Sequence, residues 1–254
     1  MIGRPAQLSG TLGRWFFALG VAFSGVQQMT GGIFIRLIHR PGAWLPHPAL
    51  AARALGAVLI AVGAGLLLPR WRRSAAWTTV ALLALIFVVF RVPEILAQPA
   101  TGYVWTNPAK VLALLGGAWM LTLPERPAAW KERIGPLFLA TFLVLGGIQH
   151  FVYADFVDTL VPAWLGHLRF WTCLAGACLI AGGIGTVIPR LSFWAAAMSA
   201  LMIFLWVPLL HVPRAVSMPD PGETSAIFEA LAISGVAALV AGRVGGRKKP
   251  KVES

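Results

Sequence analysis

The chain has 254 residues and a net charge of +12, yet only 12% of its residues are charged and 58% are hydrophobic. A soluble domain carries about 25% charged residues, so this composition excludes an ordinary soluble enzyme and marks a membrane protein. The basic excess then concerns where charges sit relative to the bilayer, and it gives no ground for a nucleic-acid partner.

Eight apolar runs follow one another, over residues 15–35, 49–68, 75–92, 109–123, 134–152, 168–188, 191–210 and 226–242. About 17–25 apolar residues cross a hydrocarbon core as a helix, and the runs are continuous, without the alternation a membrane barrel needs. The predicted fold is all-α, a polytopic bundle of eight transmembrane helices. The first run, RWFFALGVAFSGVQQMTGGIF, follows basic residues as a signal peptide would. No A-x-A site comes after it, so an uncleaved helix is expected. The fourth run is the shortest and must take in Pro108 to Lys110. The sixth carries Cys173 and Cys178, which a regular helix does not bring together and which suit small core positions. In the seventh, WVPLLHVPR, Pro208 is expected to kink the helix and Pro213 to push Val212 out of the helical region, which leaves His211 at a break.

With eight crossings and an internal amino terminus, 14 of the 21 Lys and Arg fall inside and seven outside. The positive-inside rule then places both termini in the cytoplasm of a bacterial-type inner membrane. The lipid bilayer is the first partner, and the basic tail lies near anionic headgroups.

Sliding the chain by 120 residues sets AWLPH (43–47) over AWLGH (163–167), PR over PR and RVPE over HVPR; 18 of the 51 pairs from Ala43/Ala163 to Pro93/Pro213 are identical. A two-residue shift adds SGVQQM over GGIQHF. The chain is thus read as two parallel four-helix repeats, 1–123 (diverged) and 124–243, followed by the tail 244–254. Four crossings per repeat imply a pseudo-twofold axis along the membrane normal.

Polar residues gather at the outer ends of the runs. Gly146 and Gly147 lie on nearly the same helix face as His150 and allow a close neighbour, so the imidazole should point into the bundle. Gln149 lies about 100° round the helix and should reach a second neighbour. We expect His150, Gln149, His211 and Arg214 to meet around a pocket, with His150 and His211 handling protons and with Trp164, His167 and Asp155 contributing from the following loop. Asp155, Asp158, Asp220 and Glu223 otherwise suit solvated loop charges. The first-half counterparts are Gln27, Gln28, Trp44, His47, Arg91 and Glu94, the last two able to pair across one turn. Five histidines without metal-ligand spacing give no metal signature.

The second half, through GGIQHF, LVPAWLGH, GACLIAGGIGTVIPR and LWVPLLHVPR, resembles the DoxX-like membrane proteins over about 100 residues. The first half looks like a diverged copy that lacks both histidines. The resemblance implies four-helix membrane units serving as subunits of quinone-linked oxidoreductases or of thiol and oxidative-stress complexes. A quinone is then the expected cofactor, with no intrinsic redox group and with electrons from a soluble or membrane redox partner. The alternative is a non-catalytic bundle that docks a partner protein or holds a small solute. Oligomeric state is not legible.

Overall fold

Prolines and glycines, more than the apolar residues, decide where the helices of this chain start, widen and meet. The computed structural model describes residues 3–35 and 45–246, so Trp44 and the last eight residues of the tail lie outside the described residues. Over the described residues the chain is helical and without strands. The first half holds α1 (Gly3–Gly31), α2 (Pro48–Leu67), α3 (Arg72–Ile86), α4 (Val92–Ala97) and α5 (Thr106–Thr122). The second holds α6 (Ala129–Val152), α7 (Ala154–Asp158), α8 (Leu168–Val187), α9 (Ser192–Trp206), α10 (Val212–Ser217) and α11 (Pro221–Gly245). Among the described residues, six helices are long and apolar enough to cross a membrane, counting α3–α4 and α9–α10 as continuous; α1 and α5 are not among them.

The prolines act differently from expectation. A proline ring lacks an N–H and clashes with the carbonyl four residues back. Ahead of Pro93 and Pro213 the helix avoids this by widening into one π turn, Phe87–Arg91 and Val207–His211, and then continues. The Val92 and Val212 N–H groups reach back five residues, to Phe87 and Val207. Val212 therefore stays helical, with φ −64° and ψ −51°, and His211 sits on a π turn within an unbroken helix.

The two halves repeat each other down to single contacts. A Cβ on Gly25 would lie 2.6 Å from the Gly56 carbonyl oxygen, and one on Gly147 would lie 2.6 Å from that of Gly176. These equivalent pairs let α1 meet α2, and α6 meet α8, backbone to backbone, as small residues do between membrane helices. Gly146 does not share this role, because its nearest neighbour, Leu179, is at an ordinary 3.9 Å. His47 and His167 precede α2 and α8 in the left-handed region, with φ 53° and 42°. Histidine is enriched among the non-glycine residues that tolerate this conformation, so the shared histidine of AWLPH and AWLGH serves a backbone turn. Neither side chain caps its helix.

The long helices pack in chain order into a closed circuit, α1–α2–α3–α5–α6–α8–α9–α11, with α11 returning to α1. A further contact joins α5 to α11 across the middle. Each half's fourth helix thus stands between its own third helix and the first helix of the other half. The circuit becomes two five-helix loops that share the α5–α11 wall. Helix α11 is the most enclosed, with 72% of its apolar window buried.

Candidate functional site

The second of these loops surrounds a cavity of about 700 Å³. Its walls come from the carboxyl-terminal part of α6, the amino-terminal halves of α8 and α11, the end of α9 with its π turn, the start of α5, and the segment 157–165. Most of the wall is apolar, with Trp164, Trp171 and Trp206 as its largest surfaces. Leu174, Leu201 and Leu205 both line the cavity and are exposed, so it opens sideways between α8 and α9.

His150 and His211 both line this space, from α6 and from the π turn. The His150 ring stacks on Trp206, with centroids 6.1 Å apart and planes 26° from parallel. Its Nδ1 lies 2.7 Å from the carbonyl oxygen of Gly146, one helical turn back. The missing side chain of Gly146 leaves room in the cavity wall, and its carbonyl orients the imidazole. His211 makes no hydrogen bond among the described residues.

Gln149 touches the cavity, but both ends of its amide are engaged. It donates from Nε2 to the Gly102 carbonyl at 2.9 Å and accepts the Thr106 hydroxyl at 2.9 Å. In the first half, Gln27 donates to the Pro221 carbonyl at 2.5 Å and accepts the Ser225 hydroxyl at 3.0 Å. Each glutamine therefore joins the first helix of one half to the start of the fourth helix of the other. This pair of clamps is structural, whereas Gln149 was expected to hold a ligand.

Arg214 does not line the cavity. Its guanidinium grips Glu223 at 3.1 and 3.2 Å and the Thr159 carbonyl at 3.2 Å. Asp155 is likewise outside and pairs with Arg169, which also holds Asp158 at 2.8 Å. The Thr172 hydroxyl beside it, and then Arg169, hold the Asp158 carboxyl below its ordinary value. Asp220 caps α11 by accepting the Gly222 N–H at 2.7 Å. Of the acids expected to be solvated loop charges, Asp155 and Asp220 are exposed, while Asp158 and Glu223 are half-buried in ion pairs that pin the segments at the cavity end. His167 supplies the turn before α8 and not a cavity contact. Cys178, expected in a core position, is exposed and lines the cavity, and both cysteines are free.

The first half fills the equivalent corner. Gln28, in the place of His150, is fully buried, donates to the Ala52 carbonyl at 3.0 Å and accepts the Ile35 N–H at 3.3 Å. Arg91, in the place of His211, is 1% exposed and pairs with Glu94 as their spacing suggested.

Two residues absent from the expected site complete it. Lys110 of α5 and Glu229 of α11 line the cavity and form an ion pair at 2.8 Å, with Glu229 only 4% exposed. They are 119 positions apart, at matching places on the two fourth helices, and they meet where α5 packs against α11. A signal existed in the sequence: opposite charges at the repeat-equivalent positions of apolar runs, where ionisable residues lean towards function. The ungapped repeat alignment ends at Pro93/Pro213, short of both.

A family model described as a domain of unknown function, DUF8561, matches residues 139–227. That span carries His150, Trp164, His167, His211 and Arg214 and stops before Glu229. No curated protein and no solved structure matches the chain.

Proposed function

We propose that the protein is a DoxX-like membrane subunit whose second-half cavity binds an amphiphile of the quinone class at the outer membrane face, with His150 and His211 holding and passing protons there. The observation that carries this reading is the convergence of two imidazoles and the Lys110–Glu229 pair in one apolar chamber of about 700 Å³. Ligand pockets of this size, mostly apolar with a few convergent polar groups, are typical small-molecule sites. The lining fits a quinone, because Lys110 can donate to a ring oxygen while the tryptophans and leucines suit a ring and a chain. When bound, a quinone supplies a two-electron, two-proton couple, with the electrons coming from a partner protein. His150 and His211 are the groups that exchange protons at that site.

Eight crossings are part of the proposal. Helices α1 and α5 each pack between two neighbours that are long enough to span, which supports their crossing as well. The 14-to-seven excess of basic residues at the opposite ends supports cytoplasmic termini and, with them, a cavity on the outer side.

Titration of the detergent-solubilised protein with a short-chain benzoquinone tests the reading, for wild type and for His150→Ala. Saturable binding that weakens in the variant is expected. No saturable binding, or equal binding by both proteins, would sink it. Saturable binding with no proton exchange in either protein would favour a holder of small solutes over a redox subunit.

A further inference from the structure

The cavity's polar groups have unequal hydrogen-bonding capacity left over. A carbonyl oxygen only accepts, so the contact of His150 with Gly146 places the ring proton on Nδ1 and leaves Nε2 of the neutral imidazole as an acceptor. No described residue donates to that nitrogen. Glu229 uses Oε2 for Lys110, and its Oε1 is buried without a hydrogen-bond partner. Lys110 makes this one bond among the described residues and keeps two further N–H groups. The spare capacity is thus two acceptors, on α6 and α11, and one donor group. His211 can take either tautomer and does not discriminate.

A quinone oxygen only accepts, so it answers Lys110 and leaves both acceptors unpaired in a largely apolar space. A phenolic hydroxyl accepts and donates, so it can answer Lys110 and one of the two acceptors at the same time. We propose that the cavity selects a head group with hydroxyl donors, a hydroquinone or alkylphenol on an apolar chain, over the matching quinone, and that Glu229 is the residue that determines this preference. The inference rests on the proposed reading of the cavity as a site for an aromatic amphiphile. The side opening between α8 and α9 accommodates the apolar chain.

The test compares one alkylhydroquinone, its quinone and its dimethyl ether by calorimetry, with the full chain in detergent and without oxygen. The hydroquinone is expected to bind about tenfold or more tighter than either of the others, the scale of leaving a buried acceptor unpaired. Glu229→Gln, whose amide offers an N–H, should cut that preference to about threefold or less by answering a carbonyl in the same place. Equal affinities for hydroquinone and quinone in wild type, or an unchanged preference in Glu229→Gln, would overturn the selection while leaving the cavity as a binding site. Failure of all three to bind would overturn the proposed function as well. The ether needs no variant: it keeps the ring and chain, loses the donors and gains two methyl groups, so an ether that binds as tightly as the hydroquinone also overturns the inference.

Discussion

The two halves share a scaffold and differ in one corner. Both have the glycine pair between the first two helices, the positive-φ histidine before the second, the π turn before a Val-Pro step, and the glutamine that clamps the other half's fourth helix. In the first half the corner is filled by Gln28, bonded to the Ala52 and Ile35 backbone, and by Arg91 with Glu94. In the second, His150 lies against Trp206 and His211 faces an open chamber. Features present in both halves are thereby assigned to folding, and the open corner is where the proposed binding site lies. The fused chain also does what a symmetric dimer could not. At one repeat-equivalent position it places Lys110 in one half and Glu229 in the other, so that two copies of a single site become an ion pair.

The strongest way to break this comparison is at the shared wall. Lys110→Glu sets two carboxylates against each other, and leaving one buried charge unpaired costs about 3–5 kcal/mol. Thermal unfolding in detergent should show the loss, and the exchange Lys110→Glu with Glu229→Lys should restore much of it. A swap as unstable as the single variant would mean that the pair is not held near a symmetric position. Next come the glycines: Gly147→Leu forces a side chain into the Gly176 backbone and should cost about 3 kcal/mol, at the upper end for overpacking. Gly25→Leu should match it, and a large difference between the two would break the equivalence of the helix contacts.

Gln27→Leu and Gln149→Leu sharpen the comparison further. Each removes two hydrogen bonds at the junction of the halves, for an expected loss of about 1–3 kcal/mol. Similar losses would establish the clamps as equivalent, while a variant of Gln149 that folds normally but loses ligand would return that residue to the binding site. The smallest effect concerns pH. The folded Asp158 carboxyl titrates below its ordinary value of 3.8, so its grip on the 153–167 segment is present above that value and is lost as the pH falls through the folded one. Trp164 emission should then report loosening under acid in wild type and be nearly flat in Asp158→Asn. Equal acid responses would sink the role given to Asp158.

The site was partly legible because polar residues at the ends of apolar runs stand out. His150, His211 and Trp164 were found this way, and all three line the cavity. Arg214, Asp155 and His167 were equally conspicuous but went elsewhere, to Glu223, to Arg169 and to a backbone turn. A side chain's position on its own helix says which way it points, and not which of several neighbours has the matching group. The π turn was missed for a related reason. A proline predicts local strain, but whether the helix breaks or widens depends on packing that holds its continuation in place.

The sequence by itself determined the helices, their order, the duplication and the end of the molecule where polar groups collect, because these follow from apolar run length, repeat identity and local chain chemistry. Only the tertiary structure decided that each fourth helix stands against the other half, that Gln149 is spent as a clamp, and that Lys110 from the diverged half completes the cavity with Glu229. Those outcomes depend on how eight helices close into one circuit. Circuit closure is a property of all the interfaces together, and no single segment records it.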